Sequence, residues 1–200
     1  MRPHLSPRHA LIAALTTAVL ATGVTAAFAA PAGPARVHGT LRPLVDLSAQ
    51  RVLVADEVAA AKWGTDSPID DPAREREVLE AVARQAEELG ADPVATSRIF
   101  RDQIEASKVV QRGLYRRWDA DPSQAPTERP DLGRIRLEIN RINGELVRAI
   151  ADSAAVREAP SCVGRLTAGA AAVIHGRQLD ALHSVALGRS LPSVCERAAP

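Results

Sequence analysis

From Leu132 to Ile150 the apolar residues Leu132, Ile135, Ile139, Ile142, Leu146 and Ile150 recur three or four apart without a break. That spacing gathers them on one face of an α-helix but scatters them over both faces of a strand, so the segment reads as an amphipathic helix. The same period recurs upstream. Leu44, Leu47, Val54 and Val58 mark a helix from Leu44 to Trp63, and Val78, Leu79, Val82 and Leu89 a second. Ile99, Phe100, Ile104, Val110 and Leu114 mark a third that runs toward Trp118. Asp71-Pro72 and Asp92-Pro93 are start signals: a carboxylate to accept the orphan N–H groups, then a proline where no N–H is needed. Gly90 ends the second helix, and Asp119 to Asp131, with Pro122, Pro126 and Pro130, reads as a connection. Beyond Pro160 come two shorter helical stretches, Cys162 to His175 and Leu179 to Leu187. No segment alternates like a strand and no repeat is present. The expected fold is all-α, a single-domain helical bundle with a disulfide-tied C-terminal portion.

The N-terminus carries the three parts of a secretory signal over residues 1–29. Arg2, His4, Arg8 and His9 form a basic start, Ala10 to Ala21 a short apolar stretch, and Ala27-Phe28-Ala29 a cleavage triplet. The stretch is too short and too Ala-rich to span a bilayer, which takes about 20 strongly apolar residues. Residues 30–43, rich in Pro, Gly and Ala, read as a flexible N-terminus, and residues 44–200 as one domain, secreted or periplasmic. In that oxidising setting Cys162 and Cys195 read as a disulfide, with two buried free thiols as the alternative. Such a cross-link is worth roughly 3–4 kcal/mol by chain entropy. A formal net charge of +1 gives no sign of a nucleic-acid partner, nor of a membrane partner once the signal is removed.

The usual catalytic signatures are missing. There is no Gly-rich phosphate loop, no nucleophile elbow and no histidine pair at metal-ligand spacing, so neither a metal nor a cofactor is expected. His175 and His183 lie two turns apart and read as surface or core residues. What remains is a set of cations on inward faces. Arg51 and Lys62 are three turns apart on one face of the first helix, with Val54, Ala55 and Val58 between them. Either acidic residues neutralise them or an anionic ligand does. Ser107 and Gln111 sit one turn apart on the inner row of the third helix. Arg74 and Arg136 lie near the starts of the second and fourth, where a cation opposes the helix dipole and needs another reason. Together they suit a small ligand with two carboxylates and little need for acid–base machinery. Lysine is otherwise scarce: Lys62 and Lys108 are the only two in an Arg-rich chain.

The run from Arg51 to Trp63, followed by Pro68-Ile69-Asp70-Asp71-Pro72-Ala73-Arg74-Glu75, resembles the all-helical AroQ class of chorismate mutases. The signal, the Asp102-Gln103-Ile104 run, Trp118 before the Pro-rich connection and the C-terminal cysteine pair resemble its secreted gamma subclass. The resemblance covers about Leu44 to Cys195. It implies a cofactor-free rearrangement of chorismate to prephenate, by positioning and electrostatic stabilisation alone. It further implies that Lys62 and Gln111 donate to the ether oxygen, that Arg51, Arg74 and Arg136 grip the carboxylates with help from Ser107, and that Glu75 accepts from the ring hydroxyl. Glu75 reads equally as a helix-surface acid. The resemblance allows a homodimer. The alternatives are an exported non-catalytic binding protein, a carrier for an aromatic acid, and an isochorismate–pyruvate lyase on the same fold.

Overall fold

The computed structural model describes residues 40–195. The signal read at residues 1–29 lies outside them, as does all but the end of the segment 30–43. Helix α1 (Arg42–Lys62) begins two residues earlier than its apolar pattern and is the axis of the molecule. It packs against α3 (Pro93–Ala120), α4 (Leu132–Asp152), α6 (Cys162–Arg177) and α7 (Ala181–Arg189). Leu44, Leu47, Val54 and Val58 are buried as their spacing requires, and so are Ala49, Val52, Ala55 and Ala59 on the remaining faces. A helix apolar nearly all round belongs inside a bundle, and its small residues let several neighbours approach closely.

The other elements start where local chemistry dictates. The Asp71 carboxylate accepts from the Arg74 N–H (3.0 Å) to open α2 (Pro72–Glu88). Asp92 accepts from Val94 and Ala95 to open α3, Asp131 from Arg134 to open α4, and Asp180 from His183 to open α7. The end of α2 corrects one expectation. Leu89 is the C-cap and 43% exposed, outside the buried stripe. Gly90 takes φ +69° there, and the Ala91 N–H returns to the Ala86 carbonyl (2.8 Å), so the chain leaves the helical path before Leu89 can turn inward.

The C-terminal portion covers the far side of α1. It comprises the single turn α5 (Ala154–Arg157), then α6 and α7, and a final 3₁₀ turn (Pro192–Cys195). Leu179, read as the start of the last helix, lies instead in the turn after Gln178, whose φ of 53° ends α6 in the left-handed conformation. Cys162 and Cys195 are bonded, with Cα atoms 5.8 Å apart. Helix α7 seats Leu182 against α3 at Gly113, where a Cβ would meet the Leu182 Cδ1 at 2.6 Å. With that side closed, α1 faces α2, α3 and α4 across a cavity.

Candidate active site

Four helices wall this cavity, which encloses about 120 Å³. Arg51, Val58 and Lys62 come from α1, at the spacing that puts them on one stripe. Arg74, Glu75 and Val78 come from α2, and Ile104, Ser107, Lys108 and Gln111 from α3. Leu132, Arg136 and Ile139 come from α4, with Ile69 and Asp71 from the α1–α2 connection. All seven residues singled out in the sequence for substrate (Arg51, Lys62, Arg74, Glu75, Ser107, Gln111 and Arg136) therefore line one hollow. Ile104, Leu132 and Ile139, expected in the core, supply its apolar lining and are only half-buried.

The cations are not treated alike. Arg51 is buried, and among the described residues no carboxylate pairs with it. Its Nη1 donates to the Asn143 Oδ1 from α4, its guanidinium stands 5.8 Å from the centre of the Phe100 ring, and its Nε has no partner. Burial pulls its pKa down to about 10, which still leaves it charged at neutral pH. Lys62 is half-buried, and its Nζ donates to the Pro68 carbonyl at 2.7 Å. Burial, joined by the nearby Arg136, pushes its ammonium below the usual lysine range, while Asp71, Asp70 and Glu75 offset part of that. Arg136 is exposed at the rim. Arg74 pairs with Glu77 at 2.8 Å.

Lys108 was missed as a lining residue. Its Nζ meets Asp70 Oδ1 at 3.2 Å, Glu75 Oε1 at 2.9 Å and Glu105 Oε1 at 2.8 Å. Ile104, Ser107, Lys108 and Gln111 stand at i, i+3, i+4 and i+7, so the register that placed Ser107 and Gln111 would have placed Lys108 as well. Beside it, Gln111 Nε2 donates to Ser107 Oγ at 3.1 Å, and the Gln111 Oε1 is buried without a partner. The two histidines fall elsewhere. His175 is exposed, and His183 is buried between Asp56 (2.9 Å) and Asp180 (2.7 Å).

Five cations thus stand against two carboxylates in the lining, with one of those cations buried and unpaired. Such a hollow can take up a small, multiply charged anion. A family model described as chorismate mutase type II matches residues 42–112. The secreted chorismate mutase of Mycobacterium tuberculosis (strain ATCC 25618 / H37Rv) is 35% identical over 190 residues, covering 93% of this chain and 95% of that protein. The chain belongs to the chorismate mutase family. The secreted chorismate mutase of Mycolicibacterium smegmatis is 37% identical over 175 residues, covering 84% of this chain and 97% of that one. In three dimensions, the chorismate mutase of Burkholderia thailandensis superposes with a TM-score of 0.74 at 37% identity, over 78% of this chain and 98% of that chain. The chorismate mutase family match ends at Arg112, so six of the seven residues singled out for substrate lie within it and, of those seven, Arg136 alone lies beyond.

Proposed function

We propose that the chain is a secreted chorismate mutase, rearranging chorismate to prephenate in the α1–α4 cavity. The observation that carries this reading is the uncompensated Arg51, a buried guanidinium facing a hollow shared with Lys62 and Arg136. A buried charge without a partner is costly, and an anionic ligand removes that cost. Chorismate brings two carboxylates.

In the reaction the ring carbon–oxygen bond breaks while a carbon–carbon bond forms at the far end of the enol ether. No proton moves and no atom is lost. The protein has to hold the substrate folded and stabilise the negative charge that builds on the ether oxygen. Lys62 donates to that oxygen with an ammonium proton not used by Pro68. Gln111 donates by turning an Nε2 hydrogen away from the Ser107 carbonyl, its longer contact at 3.4 Å, while Ser107 Oγ keeps the other at 3.1 Å. Arg51, Arg74 and Arg136 take the carboxylates, with Ser107 assisting. Arg74 leaves Glu77 to do so, and an exposed pair of this kind is worth little. Glu75 accepts from the ring hydroxyl. Every one of these side chains belongs to a single chain, so the reading requires no second copy; sedimentation would tell monomer from homodimer.

Export rests on the signal read at residues 1–29 and on the mycobacterial relatives, both secreted chorismate mutases. Among the described residues no helix is long and apolar enough to cross a membrane. The test of function is loss of chorismate absorbance with the parent and Lys62→Ala side by side. The variant is expected to lose on the order of 10²–10³ in turnover, as for removal of an oxyanion donor. A variant as active as the parent would sink the assignment.

A further inference from the structure

Lys108 is a cation in an anion-binding cavity that is itself fully engaged by acids. An ammonium has three hydrogens and no acceptor. Here Asp70, Glu75 and Glu105 lie at 3.2, 2.9 and 2.8 Å, Glu105 accepting a hydrogen bond and the other two standing at ion-pair distance. Three carboxylates already surround its charge, so Lys108 is not a fourth gripping cation. The three acids come from three places: Asp70 from the α1–α2 connection, Glu75 from the first turn of α2 and Glu105 from α3 itself. Asp70 is further tied to α3 through Arg112, whose Nη2 reaches both its oxygens at 2.8 Å. Glu75 gives one oxygen to Lys108, and among the described residues no hydrogen bond reaches the other.

Resting on the chorismate mutase reading, we infer that Lys108 is a positioning residue, pinning one oxygen of Glu75 so that the other is presented to the ring hydroxyl of the substrate. A long Glu side chain in a half-open cavity would otherwise sample several rotamers. It would also be drawn to the cations Arg51, Lys62, Arg74 and Arg136 that line the same cavity, and would then neutralise the charges meant for substrate. Lys108 keeps it apart from them. The Lys108 ammonium is held well above the ordinary lysine range: burial opposes its charge, but the hydrogen bonds to Glu105, Glu75 and Asp70 outweigh that. It stays charged throughout the working range.

The test is a double-mutant cycle on the full chain with chorismate as the probe, comparing the parent, Lys108→Met, Glu75→Gln and the double variant. Lys108→Met is expected to lose about tenfold in kcat/KM, and less than about twofold when added to Glu75→Gln, because the role runs through Glu75. A second readout is the pH profile. Without Lys108, the acids Asp70, Glu75 and Glu105 lose the cation they share, with Asp71 beside them and Arg112, Lys62, Arg51, Arg74 and Arg136 facing them, and loss of that positive charge makes protonation of the cluster easier. The single variant should then show an acid limb in kcat/KM that the parent and the double variant lack. Lys108→Arg, which keeps the charge, should recover part of the loss and covers the case in which the methionine variant fails to fold. If the Lys108→Met loss is as large with Glu75→Gln as without it, or if both Lys108 variants match the parent, the inference is overturned. A parent that leaves chorismate unchanged overturns the functional reading itself, and this inference with it.

Discussion

Arg51 and Lys108 line the same cavity from two different helices and are almost equally buried, yet their surroundings are opposites. Arg51, on the α1 side, has an amide oxygen and an aromatic ring but no acid. Lys108, on the α3 side, has three acids. His183, behind α1, resembles Lys108: it is buried and sits between two carboxylates. The fold thus neutralises the buried cations that hold other side chains in place and leaves Arg51 without an acid, where the proposed reading puts a substrate carboxylate. Stability and binding are set in different places, and each can be disturbed without the other.

The strongest test of that division is Arg51→Met. It should lower kcat/KM by on the order of 10³, because a desolvated charge partner of the substrate is gone. Its melting temperature should equal or exceed the parent's, because an uncompensated buried cation has been replaced by an apolar side chain. A variant that loses activity and stability together would break the contrast. His183→Gln is the complementary case, with an effect on stability and none on turnover. The hydrogen bond that His183 donates to Asp56, opposed by burial and aided by Asp180, raises His183 to about 9. The stabilisation is therefore complete below about pH 6.5, the unfolded value, and fades as pH rises through 9. Both carboxylates are about half exposed, so screening limits the gain to on the order of 1–2 kcal/mol. Denaturant melts of parent and variant between pH 6 and 10 should converge at the alkaline end. The smallest effect concerns the rate itself. Gln111 donates without titrating, so turnover should vary by less than about twofold from pH 5 to pH 8. It should then fall as Lys62 loses its proton, somewhat below the ordinary lysine value. A steep change inside the neutral window, with the fold intact, would count against Lys62 and Gln111 as the pair at the ether oxygen.

What the sequence discloses about this molecule is what local chemistry controls. Asp71-Pro72 and Asp92-Pro93 announce their helices because the cap and the missing N–H act within four residues. The stripe on α4 is legible because one face is wet. On α1 the stripe understates the burial, since Val52, Ala55 and Ala59 lie off it and are covered by α3 and α7 only on assembly. Leu89 fails for the opposite reason: periodicity continues past the point where Gly90 turns the backbone. In the site, Arg51 and Lys62 could be grouped because they share a helix. Asn143, which holds the Arg51 guanidinium, lies 92 residues away, and no spacing connects them. Lys108 lay within reach of the register used for Ser107 and Gln111. Its three acids, from a connection and two helices, became visible only on assembly.

Asn143 also places a demand on the order of assembly. Until α4 docks on α1, the Arg51 side chain lacks that partner and water can solvate it. Docking strips the solvent and returns only an amide oxygen, so the closing step works against itself until something anionic enters. A dianion in the medium should therefore act as a fastener, raising the melting point with its concentration and slowing hydrogen exchange across the α1–α4 seam. On the proposed reading, the substrate supplies the counter-ion that the protein's own interior does not give Arg51.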